Sequence, residues 1–525
     1  MDAYISKKLL PIIIMQYFFE YLSFETWILL GSLILLARYY IQLKWSMLNS
    51  LHIPHDPPSI WNFGHLKQAV MNRISNYDSD QKEKHGPIWG YYVFFRPRIV
   101  CHDLEILQQI FIKEFSTFPN RLGGFAGLNG EEMANGLLEA ADSQWKRMRK
   151  TMTPTFSTSR LRQMFNIIDW CTNNTLAVFK NTVDRKNGVF TAKDVFSRLS
   201  LDVICSSAFS TDVNSQDDSK DEPQISVNAK NLFKNSRFDP TFLISIMFPS
   251  LGGKLFKFSK RSPLFRYFND VCKKIIQQRN AEDSLSNRID LLQLMLNSKV
   301  PASELDKDSK KGMSEIEIIG NSIVMILAGY ETTSTVMSFL AYNLAQYPEV
   351  QHKLQAEIDE MYETKDSLDF DTVNSLQYLD MCINESIRLY TPVPRTVRKS
   401  NKDITLSGLT IPKDMLIVIP IASLCHDPEY WNEPMEFQPE RMRNVNEMHP
   451  MVFQPFGSGP RNCIGMRFAL MEVKVAFCKL LHEFSFKPTL DTPVPPLQII
   501  VNASTIRPKV NFNLQIVPRM NQVDR

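Results

Sequence analysis

The stretch Phe456-Gly457-Ser458-Gly459-Pro460-Arg461-Asn462-Cys463-Ile464-Gly465 carries the strongest chemical signal in the chain. Gly457, Gly459 and Pro460 make a tight, irregular turn. Cys463 closes that turn as an apolar periodic run begins at Ile464, Phe468, Met471 and Val475. The pattern predicts a helix whose N-terminal N–H groups and dipole stabilise a thiolate on Cys463. Arg461, two residues earlier, adds positive charge for an anionic group. A soft, preformed thiolate is the ligand that ferric haem iron takes.

Three further groupings are weak alone. Ala328-Gly329-Tyr330-Glu331-Thr332-Thr333 lies inside an apolar helical stretch. By itself it reads most simply as a buried helix with a patch of small residues. Gly329 in mid-helix costs about 1 kcal/mol relative to alanine. That cost has a use if something large lies against the helix or if the helix opens locally. An acid followed by a hydroxyl residue can relay protons into a dry pocket. Glu385 and Arg388 sit three apart on one helix face, an ordinary surface pairing when met alone. Trp145 and Arg149 lie one helical turn apart, which is also commonplace.

Taken together and in this order, the stretches resemble the cytochrome P-450 superfamily. Phe456, Gly459, Arg461, Cys463 and Gly465 match each fixed position of its haem-binding loop, F-x-x-G-x-R-x-C-x-G. The chain is most similar to animal microsomal members, family three, subfamily A and its clan relatives. Ile326 through Thr333, Tyr378 through Cys382 and Phe456 through Met471 carry most of that similarity. The resemblance implies haem b (iron protoporphyrin IX) with Cys463 as the axial iron ligand and Phe456 in the loop beneath it. It implies that Thr332 and Glu331 act in oxygen activation and proton delivery, and that Ala328 lines the pocket above the haem. Trp145, Arg149, Arg398 and Arg461 match propionate-binding positions, with Arg121 a weaker candidate. Glu385 and Arg388 would lock the core with Arg441 as third partner. Many relatives follow that arginine with phenylalanine where this chain has Met442, and methionine can fill the same volume.

The function so implied is a monooxygenase. One oxygen atom of O2 enters an apolar substrate (steroid, lipid or xenobiotic), with electrons from NADPH through a flavoprotein reductase. Cytochrome b5 is a second candidate partner. The implied location is the endoplasmic reticulum membrane, with the catalytic domain on the cytosolic side. Two other readings stand beside this one. A haem-thiolate isomerase of the thromboxane-synthase kind would rearrange a lipid peroxide without NADPH, and the apolar residue it carries at the position of Thr332 argues against it here. A non-catalytic haem- or ligand-binding protein would have no use for the acid–threonine pair. Lys146, Arg147, Lys150 and Arg467 are loose candidates for docking an acidic reductase.

These residues need a large scaffold. The 525 residues carry a net charge of +3, too mild to argue for nucleic acid. The 8 cysteines are scattered without a C-x-x-C pair, which excludes the usual zinc and disulfide frameworks and predicts mostly buried free thiols. Residues 23–43 form an apolar stretch flanked by Trp27, Tyr39 and Tyr40, expected to span a bilayer. Residues 1–22 are expected to lie in the interface. A proline-containing linker follows over 44–60, and a single catalytic domain over 61–525. Helical periodicity is read at Glu105–Glu114, Gln144–Lys150, Leu264–Arg279, Ile316–Tyr347, Val350–Met361, Ser375–Tyr390 and Cys463–Phe484. Strands are read at Trp89–Phe95, Ile99–His102, Ile404–Leu406, Leu416–Pro420 and Val510–Ile516. The expected fold is mainly α with a minor β part. Ser210–Gln224 and Asn297–Ser314 read as surface loops, and the glycine-rich Leu122–Leu138 as part of the substrate roof.

Overall fold

The computed structural model describes residues 23–68, 74–121, 130–234, 241, 244, 254–281, 290–305, 312–365, 367–502 and 505–519. The expected interfacial segment 1–22 and residues 122–129 of the roof lie outside them, as do residues 306–311 of the second loop.

The first helix, α1 (Phe24–Trp45), is 22 residues long, about 33 Å at the usual rise and enough for a bilayer core of about 30 Å. Ser23 caps it by accepting from the Thr26 N–H. None of its residues is buried. Its end is fastened to the catalytic body: Trp45 Nε1 donates to Phe94 O at 2.8 Å, and Tyr92 Oη donates to Trp45 O at 2.7 Å.

The body then runs through α2 (Ile74–His85), β1 (Ile88–Val93) and β2 (Arg96–Cys101). A short helical turn, Leu104–Gln108, passes into a π-turn at Gln109–Lys113, where the sequence pattern predicted one helix. There follow α3 (Asp142–Met152), α4 (Thr158–Lys186), β3 (Val189–Thr191), α5 (Ala192–Phe209), α6 (Gln224–Lys234) and α7 (Ser262–Ala281). The central helix is α8 (Glu315–Gln346), and Pro348 at the first position of α9 (Pro348–Thr364) starts the next. After α10 (Gln377–Leu389) come β4 (Thr396–Lys399), β5 (Ile404–Leu406), β6 (Leu409–Ile411) and β7 (Leu416–Ile419). The chain closes with α11 (Met466–Glu483), β8 (Phe484–Pro488), β9 (Ile499–Asn502), β10 (Thr505–Pro508) and β11 (Asn513–Pro518).

The larger sheet has the order β1-β2-β7-β4, with β2 and β7 parallel and the outer pairs antiparallel. A smaller sheet, β3-β11-β8, is antiparallel, and β5–β6 and β9–β10 are separate hairpins. The fold is therefore mainly helical with a minor β part.

Helix α8 is buried on nearly all sides because it runs through the middle of the core. A capping box at Ser314 and Glu317 fixes its start. Helix α5 packs beside it and α4 packs against α5 and α11, but neither was among the stretches read from periodicity. Their buried faces carry hydroxyl residues that break the apolar pattern. On α4, Thr172 Oγ1 donates to Ile168 O at 2.8 Å and Thr182 Oγ1 to Val178 O at 2.7 Å, within the helix.

One buried acid is poorly matched to its surroundings. Glu472 of α11 accepts from Ser200 Oγ of α5 at 2.7 Å, and burial pushes its carboxyl up to about 8 from an ordinary 4.5. The folded protein thus keeps a proton that the unfolded chain releases within that window, so stability falls as pH rises from about 4.5 to about 8. Glu472→Gln should remove the slope. Thermal unfolding is expected to show a higher midpoint than wild type at about pH 8 and a similar one at about pH 5. Equal midpoints at both would place the charge of Glu472 elsewhere.

Candidate functional site

The loop before α11 is shaped by close approach. Gly457 and Gly459 both lie in the left-handed region, at φ 71 and 69. A Cβ on Gly459 would stand 2.1 Å from Phe111 O in the π-turn, so only glycine lets the loop lie on that carbonyl. The Cys463 N–H donates to Phe456 O at 2.8 Å and closes the turn. Helix α11 begins at Met466 with Gly465 as N-cap, three residues beyond the start expected from the sequence. Cys463 therefore sits just ahead of the helix, where the Gly465 and Met466 N–H groups face its sulfur. Surrounding protein raises the Cys463 thiol. Those N–H groups and the Arg121 and Arg149 guanidiniums oppose the rise. Cys463 is the exposed cysteine of the chain, and the other seven are buried free thiols.

Around this sulfur the structure gathers arginines, with Glu139 near Arg121 and Asp142 near Arg461 as neighbouring acids. Arg149 of α3 donates to Asn462 O at 2.9 Å and Asn462 Oδ1 at 2.8 Å. Arg121 Nη2 donates to Arg461 O at 3.0 Å. Arg461 donates to Ala140 O at 2.7 Å, and its guanidinium lies 4.4 Å from the centre of the Trp145 ring. Arg398 of β4 is 1% exposed and lies 4.7 Å from the Phe111 ring. Among the described residues, Arg121 Nε, Arg398 Nε and both Nε and Nη1 of Arg461 have no hydrogen-bond partner. Burial, reinforced by Arg121, pushes the Arg461 guanidinium down to about 9. Burial and the neighbouring Arg121 and Arg461 push Arg398 down as well. Buried cations with idle donors need anionic oxygen partners. A flat ligand with paired carboxylates next to a soft metal supplies them, so the residues present fit haem b.

On α8, burial is nearly unbroken from Glu317 to Ala345, yet Ala328 is exposed and Gly329 and Thr332 are partly open. Ala328 and Thr332 are one turn apart, so the helix has one bare strip. Thr332 Oγ1 donates to Ala328 O at 2.7 Å. The helix does not break there. Gly329 instead admits Ile204 of α5, whose Cγ1 would be 2.9 Å from an added Cβ. Glu331 points the other way. It is 1% exposed and is shared by Lys193 Nζ and Arg507 Nε, each at 3.3 Å. Lys193 also donates to Ser334 Oγ and Thr335 Oγ1, both at 2.8 Å. Neither cation was singled out in the sequence, because one comes from α5 and the other from β10.

Glu385, Arg388 and Arg441 come together. Arg388 holds both oxygens of Glu385, at 2.8 Å and 2.9 Å, and Arg441 Nε reaches Glu385 Oε1 at 3.1 Å. Met442 is buried with Trp431 and Val452. One expectation is corrected: Arg147 is buried at 7% exposure and pairs with Glu317, so it cannot meet a docking partner, whereas Lys146, Lys150 and Arg467 are exposed.

Residues 54–514 match the family described as cytochrome P450. Cytochrome P450 3A28 of Bos taurus is 36% identical over 95% of this chain and 96% of its own length. Cytochrome P450 3A27 of Oncorhynchus mykiss is 36% identical over 97% of both chains. Cytochrome P450 3A11 of Mus musculus is 37% identical over 95% of this chain and 97% of its own. An exposed thiol among arginines with idle donors and a match of this extent define a haem-thiolate enzyme: the chain belongs to the cytochrome P450 family. Within it, the similarity is to 3A members, and the protein is a haem-dependent monooxygenase using O2.

Proposed function

We infer that this enzyme inserts one oxygen atom into an apolar substrate (steroid, lipid or xenobiotic). Electrons would come from NADPH through a flavoprotein reductase, with cytochrome b5 as an alternative donor. The single observation that carries the reading is the exposed Cys463 thiol among buried arginines with idle donors. When bound, haem b supplies oxygen binding and cleavage, assisted by electron density from the thiolate. Cys463 is assigned as the iron ligand, with Phe456 closing its loop. Trp145, Arg149, Arg398 and Arg461, with Arg121, are assigned to the propionates.

Thr332 has its hydroxyl proton engaged by Ala328 O. Its lone pairs are then free to hold a cavity water in position as a proton donor. Glu331 is tied to Lys193 and Arg507, whose side chains are 19% and 21% exposed. Those contacts put its carboxylate between solvent and the helix, and a swing away from the cations would carry a proton inward. Glu385, Arg388 and Arg441 are assigned a structural role.

The bilayer is the proposed location, on the endoplasmic reticulum with the body cytosolic. Helix α1 is long and apolar enough to cross it. Close to the helix end, Ile60 and Trp61 are 58% and 92% exposed, and these would rest on the interface. The proposed division keeps the anchor at 23–43, the linker at 44–60 and the catalytic domain at 61–525, preceded by 1–22. The exposed Lys146, Lys150 and Arg467 are proposed to meet an acidic redox partner.

The test is turnover with reductase and NADPH, wild type against Thr332→Ala. Wild type should couple NADPH use to oxygenated product. A positioned proton donor contributes about a hundredfold or more, and water replaces part of it. The variant should therefore lose about tenfold in product per NADPH while still consuming NADPH. Peroxide rearrangement by wild type without reductase would support the isomerase instead.

A further inference from the structure

Helix α3 has two working faces. Trp145 and Arg149 point to the Cys463 loop, as described above. Arg147 lies between them in sequence and therefore on the opposite face. There it is clamped to the start of α8: Nη2 to Glu317 Oε1 at 2.6 Å and Nη1 to Glu317 Oε2 at 3.0 Å. Both partners are nearly sealed, with side chains 7% and 4% exposed. Arg147 also donates to Gly312 O, just before α8. Glu317 accepts further bonds from Gln144 Nε2 of α3 at 3.0 Å and from its own cap, Ser314 N, at 2.9 Å.

One turn on, the same junction is fastened again. Asn321 Oδ1 accepts from Leu137 N at 2.9 Å, and Asn321 Nδ2 donates to Met148 Sδ at 3.2 Å. Gly320 is flush with the segment before α3, since a Cβ there would stand 2.1 Å from Glu132 O. The bare strip at Ala328 and Thr332 begins roughly 16 Å beyond Glu317 along α8. One rigid helix thus carries the oxygen-side residues, another carries the propionate-side residues, and a buried two-bond ion pair joins them.

We propose that Arg147 and Glu317 are positioning residues that set the spacing between the propionate-binding face of α3 and the open strip of α8, and so hold the haem in its slot. Neither is among the residues assigned to hold the haem. The inference rests on the haem assignment made above, which the wild-type spectrum tests separately. Arg279 and Asp290 supply the control. They form another buried two-bond pair, at 3.0 Å and 2.8 Å, between α7 and the cap of the helix that follows.

The experiment measures haem transfer from the full-length, membrane-reconstituted ferric protein to excess apomyoglobin, alongside thermal unfolding. Variants are Glu317→Gln, Arg147→Lys and, as control, Arg279→Met. Glu317→Gln keeps the shape but loses the charge. Arg147→Lys keeps the charge with a single donor group, so it folds even if the glutamine variant does not. Both should release haem at least about tenfold faster than wild type, which is about 1.4 kcal/mol. Arg279→Met should lower the unfolding midpoint yet leave haem release near the wild-type rate. Product per NADPH should fall in Glu317→Gln and Arg147→Lys and not in the control. If haem release in all three merely follows the loss of thermal stability, or if Arg147→Lys and Glu317→Gln release haem at the wild-type rate, the proposal is wrong. A wild type without a thiolate-type spectrum would instead overturn the haem assignment.

Discussion

Cys463→His is expected to yield a folded protein that binds some haem and has background oxygenase activity. The fold should survive because the loop does not depend on the sulfur. Gly457 and Gly459 set its path, and the bond that closes it runs from the Cys463 backbone N–H to Phe456 O. Histidine is the larger side chain, so the change leaves no cavity. What is lost is an anionic sulfur whose electron density assists O–O cleavage, which a neutral imidazole does not supply. The reduced, carbon monoxide-bound spectrum reads this directly. Wild type should show the long-wavelength Soret band of thiolate ligation, and the variant the shorter-wavelength band of histidine ligation. Full turnover in the variant would remove Cys463 from its assigned role. The arginines gathered around the site should still retain the propionates, so haem content should fall less than activity does.

The parts of this site that sequence reasoning reached are those written contiguously. The Cys463 loop, the Ala328–Thr332 run and the Glu385–Arg388 pair each lie within one short stretch of chain, so residue types and spacing already fix their geometry. Arg441 joined the latter only through family resemblance, and the structure brings it to 3.1 Å of Glu385. Long-range partners left no local trace. Lys193 and Arg507 meet Glu331 because α5 and the β9–β10 hairpin both flank α8, and nothing near either residue announces that. Arg147 shows the reverse error: a basic run at 146–150 looks like a solvated face until α8 is laid against it. The helices α4 and α5 were obscured by buried hydroxyls: threonines of α4 that bond their own backbone, and serines of α5 that reach other side chains such as Glu472 and Asp212. The general chemistry was therefore legible, whereas the couplings between elements needed the fold.

Arg388→Met should prevent accumulation of folded, haem-containing protein. Arg388 and Glu385 are 0% exposed. The guanidinium spends its donors on both Glu385 oxygens and on three backbone carbonyls: Cys425 O and Pro434 O at 2.7 Å, and Glu436 O at 3.2 Å. These carbonyls belong to the connection between β7 and the cysteine loop, so the arginine ties α10 to the segment that leads to Cys463. Burial raises the Glu385 carboxyl, and Arg388 is the largest influence holding it down. Removing one partner of such a pair costs about 3–5 kcal/mol. Each orphaned carbonyl adds about 1–3 kcal/mol. Against a net stability of about 5–15 kcal/mol for a typical domain, little is left. Arg441→Met should be milder, because its side chain is 12% exposed and Arg388 continues to neutralise Glu385. The double change Arg388→Met with Glu385→Leu discriminates between causes. It removes the stranded charge, so it should recover part of the stability, but the three carbonyls stay unpaired and recovery should be incomplete. Haem content per purified protein and the thermal midpoint measure both effects. A wild-type midpoint in Arg388→Met would show that the triad does not hold the core. Complete recovery in the double variant would mean that the stranded carboxylate, and not the carbonyl network, sets the cost.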